Sequence, residues 1–182
     1  LIAQCQLLAY SEFTLFEYRG MYTINEAATI ELFHDLRRDL GKLSLGTYFA
    51  QAAEVISQED LPNPELLSLV LNSLYALSKL GEPENKVKAA FELRLSCIAG
   101  FMPELTGCAG CGSEWPDRFD IKAGMMECAS CRNPESDGIR MPVLPGVLQA
   151  MRYICFCGSR KIFPFTLSAD AMQQLADVTE SY

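Results

Sequence analysis

Two Cys-x-x-Cys pairs lie within GCAGCGSEWPDRFDIKAGMMECASC, giving the pattern Cys108-x2-Cys111-x16-Cys128-x2-Cys131. A two-residue gap lets both thiolates of a pair face one ion, and Gly110 eases the tight turn this needs. The spacing is that of a four-cysteine zinc site. A pair of redox motifs is the competing reading, but it expects a βαβ context that the flanking sequence does not offer. Four thiolates would close the coordination shell, whereas a catalytic zinc keeps one position open to water. The expected cofactor is therefore one structural zinc ion. The surrounding stretch 103–142 is rich in Cys, Gly, Pro, Asp and Glu and poor in aliphatic residues. A segment of about forty residues rarely folds by burial alone, so the metal is expected to hold it. Phe119 and Ile121 read as one strand and Met125-Met126 as its return across Lys122-Ala123-Gly124, the layout of a zinc ribbon.

On either side of this insert the pattern is helical. Ile30, Phe33, Leu36, Leu40 and Leu43 recur at three- and four-residue steps, after Thr23 and Glu26 in capping-box spacing. Gly41 and Gly46 read as a possible break. LPNPE (61–65) predicts a stop and a restart, with Asn63 as cap and Pro64 as first helical residue. Further periodic runs extend from Leu66 to Gly81, from Glu84 to Gly100 and through VLQAMRYI, and Ser168 caps a last helix. Residues 1–24 read instead as short strands, IAQCQLLAY and FTLFEYRGMYTI, with a turn at Arg19-Gly20. At most three strands fit there, too few for an independent sheet, so they resemble the tail of a β-domain that begins upstream. The expected fold is mainly α: a helical bundle from 25–102 and 143–182, a zinc-ribbon insert at 103–142, and strands at 1–24.

Composition narrows the function. With 15 Lys and Arg against 23 Asp and Glu, the net charge is −8, which argues against a broad electrostatic footprint for nucleic acid. Polyanion binding would need local clusters, and three present themselves: Arg37, Arg38 and Lys42; Arg160 and Lys161; and Lys86 with Lys88. Each alone reads as a solvated face, and the sequence does not say whether they share one. No apolar run spans a bilayer and no secretory signal is visible. The other four cysteines, Cys5, Cys97, Cys155 and Cys157, are scattered in apolar surroundings, which suits a reducing cytosol. His34 is the lone histidine and reads as a half-exposed structural residue. No nucleophile–base arrangement, phosphate loop or carboxylate pair stands out, so an enzyme is not expected.

Several segments together resemble the RecO family of bacterial recombination mediators: FELRLSCIAGFMPELTGCAGCG (91–112), ELFHDLRRDLGKLSLGTYFAQ (31–51), GVLQAMRYI and KIFPFTLSADAMQQLADVTESY. The resemblance implies an N-terminal OB barrel, of which residues 1–24 would be the end, followed by a helical domain with a zinc-binding insert. It further implies binding and annealing of single-stranded DNA, binding of double-stranded DNA, contacts with RecR and with the C-terminal tail of single-strand-binding protein, and help in loading RecA, in the bacterial cytoplasm at the nucleoid. Residue by residue it carries over Cys108, Cys111, Cys128 and Cys131 as zinc ligands. Arg94, Arg152 and either Arg37 or Arg38 match basic positions in the family's helices, and Arg37, Arg38, Lys42, Arg94, Arg152, Arg160 and Lys161 are the candidate DNA-binding residues. The alternative is a zinc-stabilised protein-interaction module whose chain touches no nucleic acid.

Overall fold

A computed structural model describes residues 4–131 and 137–182. An antiparallel hairpin, β1 (Tyr10–Tyr18) and β2 (Met21–Glu31), leads into the helices. Its turn is Arg19-Gly20, with φ of 54° and 76°, the left-handed pair that matches the twist of a two-residue hairpin. The helix expected to start after Thr23 does not form there. Thr23 pairs with Phe16 and Glu26 with Thr14 in the β-ladder, so cross-strand bonding along a Tyr-, Thr- and Ile-rich run overrides a three-residue spacing match. Of the expected IAQCQLLAY strand, residues 1–3 lie outside the described residues. Gln4 to Ala9 form turns, with Leu8 at φ 58°.

Helix α1 (Leu40–Ile56) begins where Asp39 caps it, its carboxylate accepting from the Gly41 and Lys42 N–H groups at 2.9 and 3.2 Å. The apolar series from Ile30 to Leu43 is therefore split among a strand, a short 3-10 turn (His34–Arg38) and the helix start. Phe33 and Leu36 are buried, but Ile30 is 56% and Leu40 82% exposed. Nor does α1 break at its glycines. A Cβ at Gly46 would lie 2.8 Å from Leu8 Cδ1 and 3.0 Å from Leu74 Cδ2, so the absent side chain is what admits the neighbouring segments.

The restart at Pro64 is as the sequence predicts. The Asn63 side chain accepts from the Leu66 N–H at 3.0 Å, and α2 (Pro64–Tyr75) continues through a π-helical turn (Ala76–Leu80) to Gly81. Helices α3 (Glu84–Ile98), α4 (Pro145–Phe156) and α5 (Ala169–Ser181) complete the bundle, the last capped by Ser168 at 3.3 Å from the Ala171 N–H. Phe49 and Phe91 stack at its centre with ring centroids 4.1 Å apart. Around them Leu36, Leu69, Leu77, Met151, Ile154 and Leu175 are inaccessible to solvent. Each such side chain contributes about 1.5–3 kcal/mol.

Between α3 and α4 the chain builds a small mixed sheet from β3 (Glu104–Cys108), β4 (Arg118–Asp120), β5 (Met125–Glu127) and β6 (Arg140–Pro142), in the order β3-β5-β4-β6. The β4–β5 return over Lys122-Ala123-Gly124 follows the sequence reading. The parallel β3–β5 pairing and the edge strand β6 were not foreseeable from it. Phe119, Met126 and Leu105 are buried and continuous with the bundle core. Arg152 of α4 fastens the sheet further. Its guanidinium donates to the Leu105 carbonyl at 2.7 Å and to those of Thr106 and Glu114 at 3.0 Å.

Candidate metal centre

Strand pairing delivers the four cysteines to one place. Cys108 closes β3 opposite Met126, while Cys128 follows the end of the adjacent β5. Each pair then folds into a tight knuckle. The Gly112 N–H donates to the Cys108 carbonyl at 2.8 Å, and the Cys131 N–H donates to that of Cys128 at 2.9 Å. The second knuckle is steadied by the Ala129 N–H donating to Asp117 Oδ1 at 2.8 Å. A Cβ at position 110 would stand 2.8 Å from the Cys131 Cβ, so only glycine lets the two knuckles approach this closely.

All four Sγ atoms lie within 4.8 Å of one another, and those of Cys111 and Cys128 are 3.8 Å apart. A tetrahedron of thiolates around zinc, with bonds of about 2.3 Å, has edges of about 3.8 Å. The electrostatics also fit a cation. Burial opposes ionisation of Cys108, but the N–H groups of Cys111, Cys128 and Gly110 directed at its sulfur outweigh it and bring the thiol down to about 6. Burial, with the adjacent Cys108 and Cys111 sulfurs, pushes Cys128 up to about 12. The Cys131 thiol is raised mainly by its hydrogen bond with Cys111. With Cys108 lowered and Cys128 and Cys131 raised, these sulfurs do not all ionise together unless a positive ion joins them. The group could therefore hold a metal ion through all four positions, and the donor set is thiolate throughout, which suits zinc and leaves no protein-free position in a tetrahedral shell.

Beside the centre is a buried polar cluster with no distinctive sequence signal. Arg140 pairs with Asp120 at 3.3 Å and with Glu127 at 2.8 Å, and Asp120 is 2% exposed. Asp120 also accepts from the Ala123 N–H at 2.9 Å. This cluster joins β4, β5 and β6 through charges drawn from residues far apart in the chain, so no local spacing reveals it.

The basic residues singled out from sequence do not converge. Arg152 is occupied by the three carbonyls already described, its guanidinium also 5.9 Å from the Trp115 ring. Arg94 pairs with Glu65 at 2.6 Å and donates to the Cys155 carbonyl. Arg37 donates to Gln6 Oε1 and to the Leu7 carbonyl. Arg38 is exposed and Lys42 half-buried at the start of α1, while Arg160 and Lys161 are exposed and line a cleft with Pro64, Glu65 and Ser68 at the start of α2. Asp35, beside the first group, pairs with Lys79 at the far end of the α2 segment. The two groups thus sit at opposite ends of that segment, about 20 Å apart at 1.5 Å per residue. Lys86 is engaged by Glu82 at 2.9 Å, and Lys88 by Glu92 and Glu180 at 3.2 and 3.0 Å.

A helical bundle interrupted by a four-cysteine sheet is the class this architecture defines, and comparison with known proteins narrows it. Residues 37–182 match the family described as "Recombination protein O C terminal". The DNA repair protein RecO of Acetivibrio thermocellus is 34% identical over 185 residues, covering 100% of this chain and 72% of that protein. The RecO of Alkaliphilus metalliredigens is 34% identical over 148 residues, covering 79% of this chain and 59% of the relative. That of Symbiobacterium thermophilum is 26% identical over 185 residues, covering 99% and 72%. The chain belongs to the RecO family. Among the described residues no helix is long and apolar enough to cross a membrane.

Proposed function

We propose that this chain is the helical and zinc-binding part of a recombination mediator that acts in DNA repair by binding rather than by catalysis. The reading is carried by its kinship over residues 37–182 with RecO proteins, which are named as DNA repair proteins. Cys108, Cys111, Cys128 and Cys131 hold one zinc ion, whose role is to tie β3 to the turn after β5. Residues 1–24 belong to an OB-type barrel, residues 25–102 and 143–182 form the helical domain, and residues 103–142 form the zinc-binding insert. Strand β2 runs on to Glu31, so residues 25–31 are strand rather than helix.

DNA contact falls to the residues that the fold leaves available: Arg38 and Lys42 at one end of the α2 segment, Arg160 and Lys161 at the other. Arg37, Arg94 and Arg152 serve mainly to hold segments together. Single-stranded DNA bridging the two ends would be neutralised at phosphates, and annealing follows when two such strands are held side by side. An apolar groove between α1 and α2, lined by Ala53, Leu61, Leu66 and Val70, suits the C-terminal tail of single-strand-binding protein. RecR is the assembly partner, and RecA loading is the outcome.

Fluorescence anisotropy of the full chain with labelled single strands, across a salt series, tests this. Each phosphate contact contributes about −0.7 to the slope of log affinity against log salt. Replacing Arg160 and Lys161 by alanine is expected to flatten the slope by about 1.4. A wild-type slope near zero would remove the phosphate-binding part. The net charge of −8 and the separation of the basic groups favour a second reading, a protein-interaction module without nucleic-acid contact. That reading predicts the zero slope together with retained binding of the tail peptide.

A further inference from the structure

The four cysteines of the metal centre are not equivalent. Cys108 is 4% exposed, and its sulfur accepts from the Cys128 N–H at 3.2 Å. It closes β3 opposite Met126, which is itself inaccessible to solvent. Cys128 and Cys131 are half-buried, whereas Cys111 is exposed. Of the eight cysteines in the chain only Cys5 and Cys111 are exposed. The Cys111 sulfur faces across the gap between the two knuckles, 3.8 Å from the Cys128 Sγ.

This asymmetry decides where an oxidant strikes. A metal ligand must be a thiolate, and a thiolate is the form that peroxide attacks. Among thiolates, susceptibility follows exposure. The metal centre therefore offers one open flank, at Cys111, with a second sulfur in contact behind it.

We propose that Cys111 and Cys128 form a peroxide-sensitive pair inside the metal centre, closing to a disulfide that joins the two knuckles and releases the ion. The proposal rests on the zinc assignment made above. In the first step the Cys111 thiolate attacks one oxygen of hydrogen peroxide. The O–O bond breaks, and the departing hydroxide takes a proton from solvent to leave as water, giving a sulfenic acid. In the second step the Cys128 thiolate attacks that sulfenic sulfur. The S–O bond breaks, and hydroxide again takes a proton from solvent. Two thiolates, one peroxide and two protons thus become one disulfide and two waters. Cys108 and Cys131 remain as two ligands where a structural zinc site takes four. A bond inside one knuckle would untie β3 from the turn after β5. The Cys111–Cys128 bond instead keeps them tied, so one staple replaces another and a reductant reverses the exchange.

The test treats the zinc-loaded full chain, carrying Cys5→Ser to remove the other exposed thiol, with hydrogen peroxide beside a chromogenic zinc chelator. Free thiols are then blocked and the peptides mapped without reduction, against a sample given chelator alone. The expected first oxidised product is a Cys111–Cys128 linked peptide. It should appear in step with release of about one zinc per chain, and dithiothreitol with added zinc should reverse both. All four ligands stay in place, so the folding of a ligand variant does not enter. Zinc retained in the linked chain overturns the proposal and leaves the zinc assignment standing. So does a first link inside either knuckle, through Cys131, or away from the metal centre. A chain purified without chelator that carries no zinc overturns both.

Discussion

In the bundle, five helices contribute inaccessible apolar side chains around the Phe49–Phe91 stack, and polar links such as Tyr48 to Glu92 lie at its margin. In the insert, Leu105, Phe119 and Met126 are the large side chains wholly withdrawn from solvent among the described residues. What else ties it together is the group of four cysteines, of which Cys108 is buried and Cys111 exposed, and the Arg140–Asp120–Glu127 cluster. Apolar burial is additive over many contacts and tolerates the loss of one. A ligand cluster is not, because each sulfur is needed by the other three. Two neighbouring parts of one chain should therefore fail differently when damaged.

Cys108→Ser is the largest perturbation. Metal binding to small zinc motifs supplies about 10–16 kcal/mol of apparent folding free energy, so losing one ligand should remove near-stoichiometric zinc and release amide protection in β3, β4, β5 and β6. Amides of α1 and α2 should keep theirs. Hydrogen exchange with metal analysis checks this, and simultaneous loss of protection in α1 would dissolve the distinction between the two regions. Phe91→Ala is the converse damage. It should cost about 3–5 kcal/mol of global stability without changing zinc stoichiometry in the folded fraction, as measured by denaturant midpoint and metal content.

At the joint, Arg152→Lys should cost about 1–3 kcal/mol, because an ammonium cannot span three carbonyls as a planar guanidinium does. Faster exchange confined to β3 would mark it as a tie between the regions, whereas an unchanged midpoint would mean that the shared apolar core suffices. The smallest effect is conditional on pH. The Tyr48 phenol is pushed up to about 12, first by burial, then by its bond to Glu92 and that carboxylate's charge. A folded-state value above the ordinary 10 means its contribution is intact below about pH 10 and is lost as the pH rises through about 12. The stability difference between wild type and Tyr48→Phe should therefore shrink across that window, as read from urea midpoints.

Legibility from sequence followed the same division. Caps at Asn63 and Ser168 and the stop at Gly81 are local signals, and the structure places them as the sequence predicts. The four cysteines were legible because chelation imposes a short, fixed spacing. The onset of α1 was not, since the strand-forming run 21–31 carries apolar residues at steps that also fit a helix, and only pairing with β1 decides between them. Arg94 and Arg152 enter from sequence only through the family resemblance, as candidate DNA contacts. Their actual partners are carbonyls and a carboxylate contributed by distant segments, which no spacing encodes.

The parallel ladder between β3 and β5 has a thermodynamic corollary. By holding Cys108 level with Met126, it closes most of the loop between the knuckles, so that pairing and ligation draw the same segments together. Metal affinity and strand pairing are then reciprocally linked, each strengthening the other by the same factor. The dissociation constant of the ion consequently works as a gauge: a partner that tugs on β3, even from the far side of α4, should announce itself as a change in how tightly the metal is held.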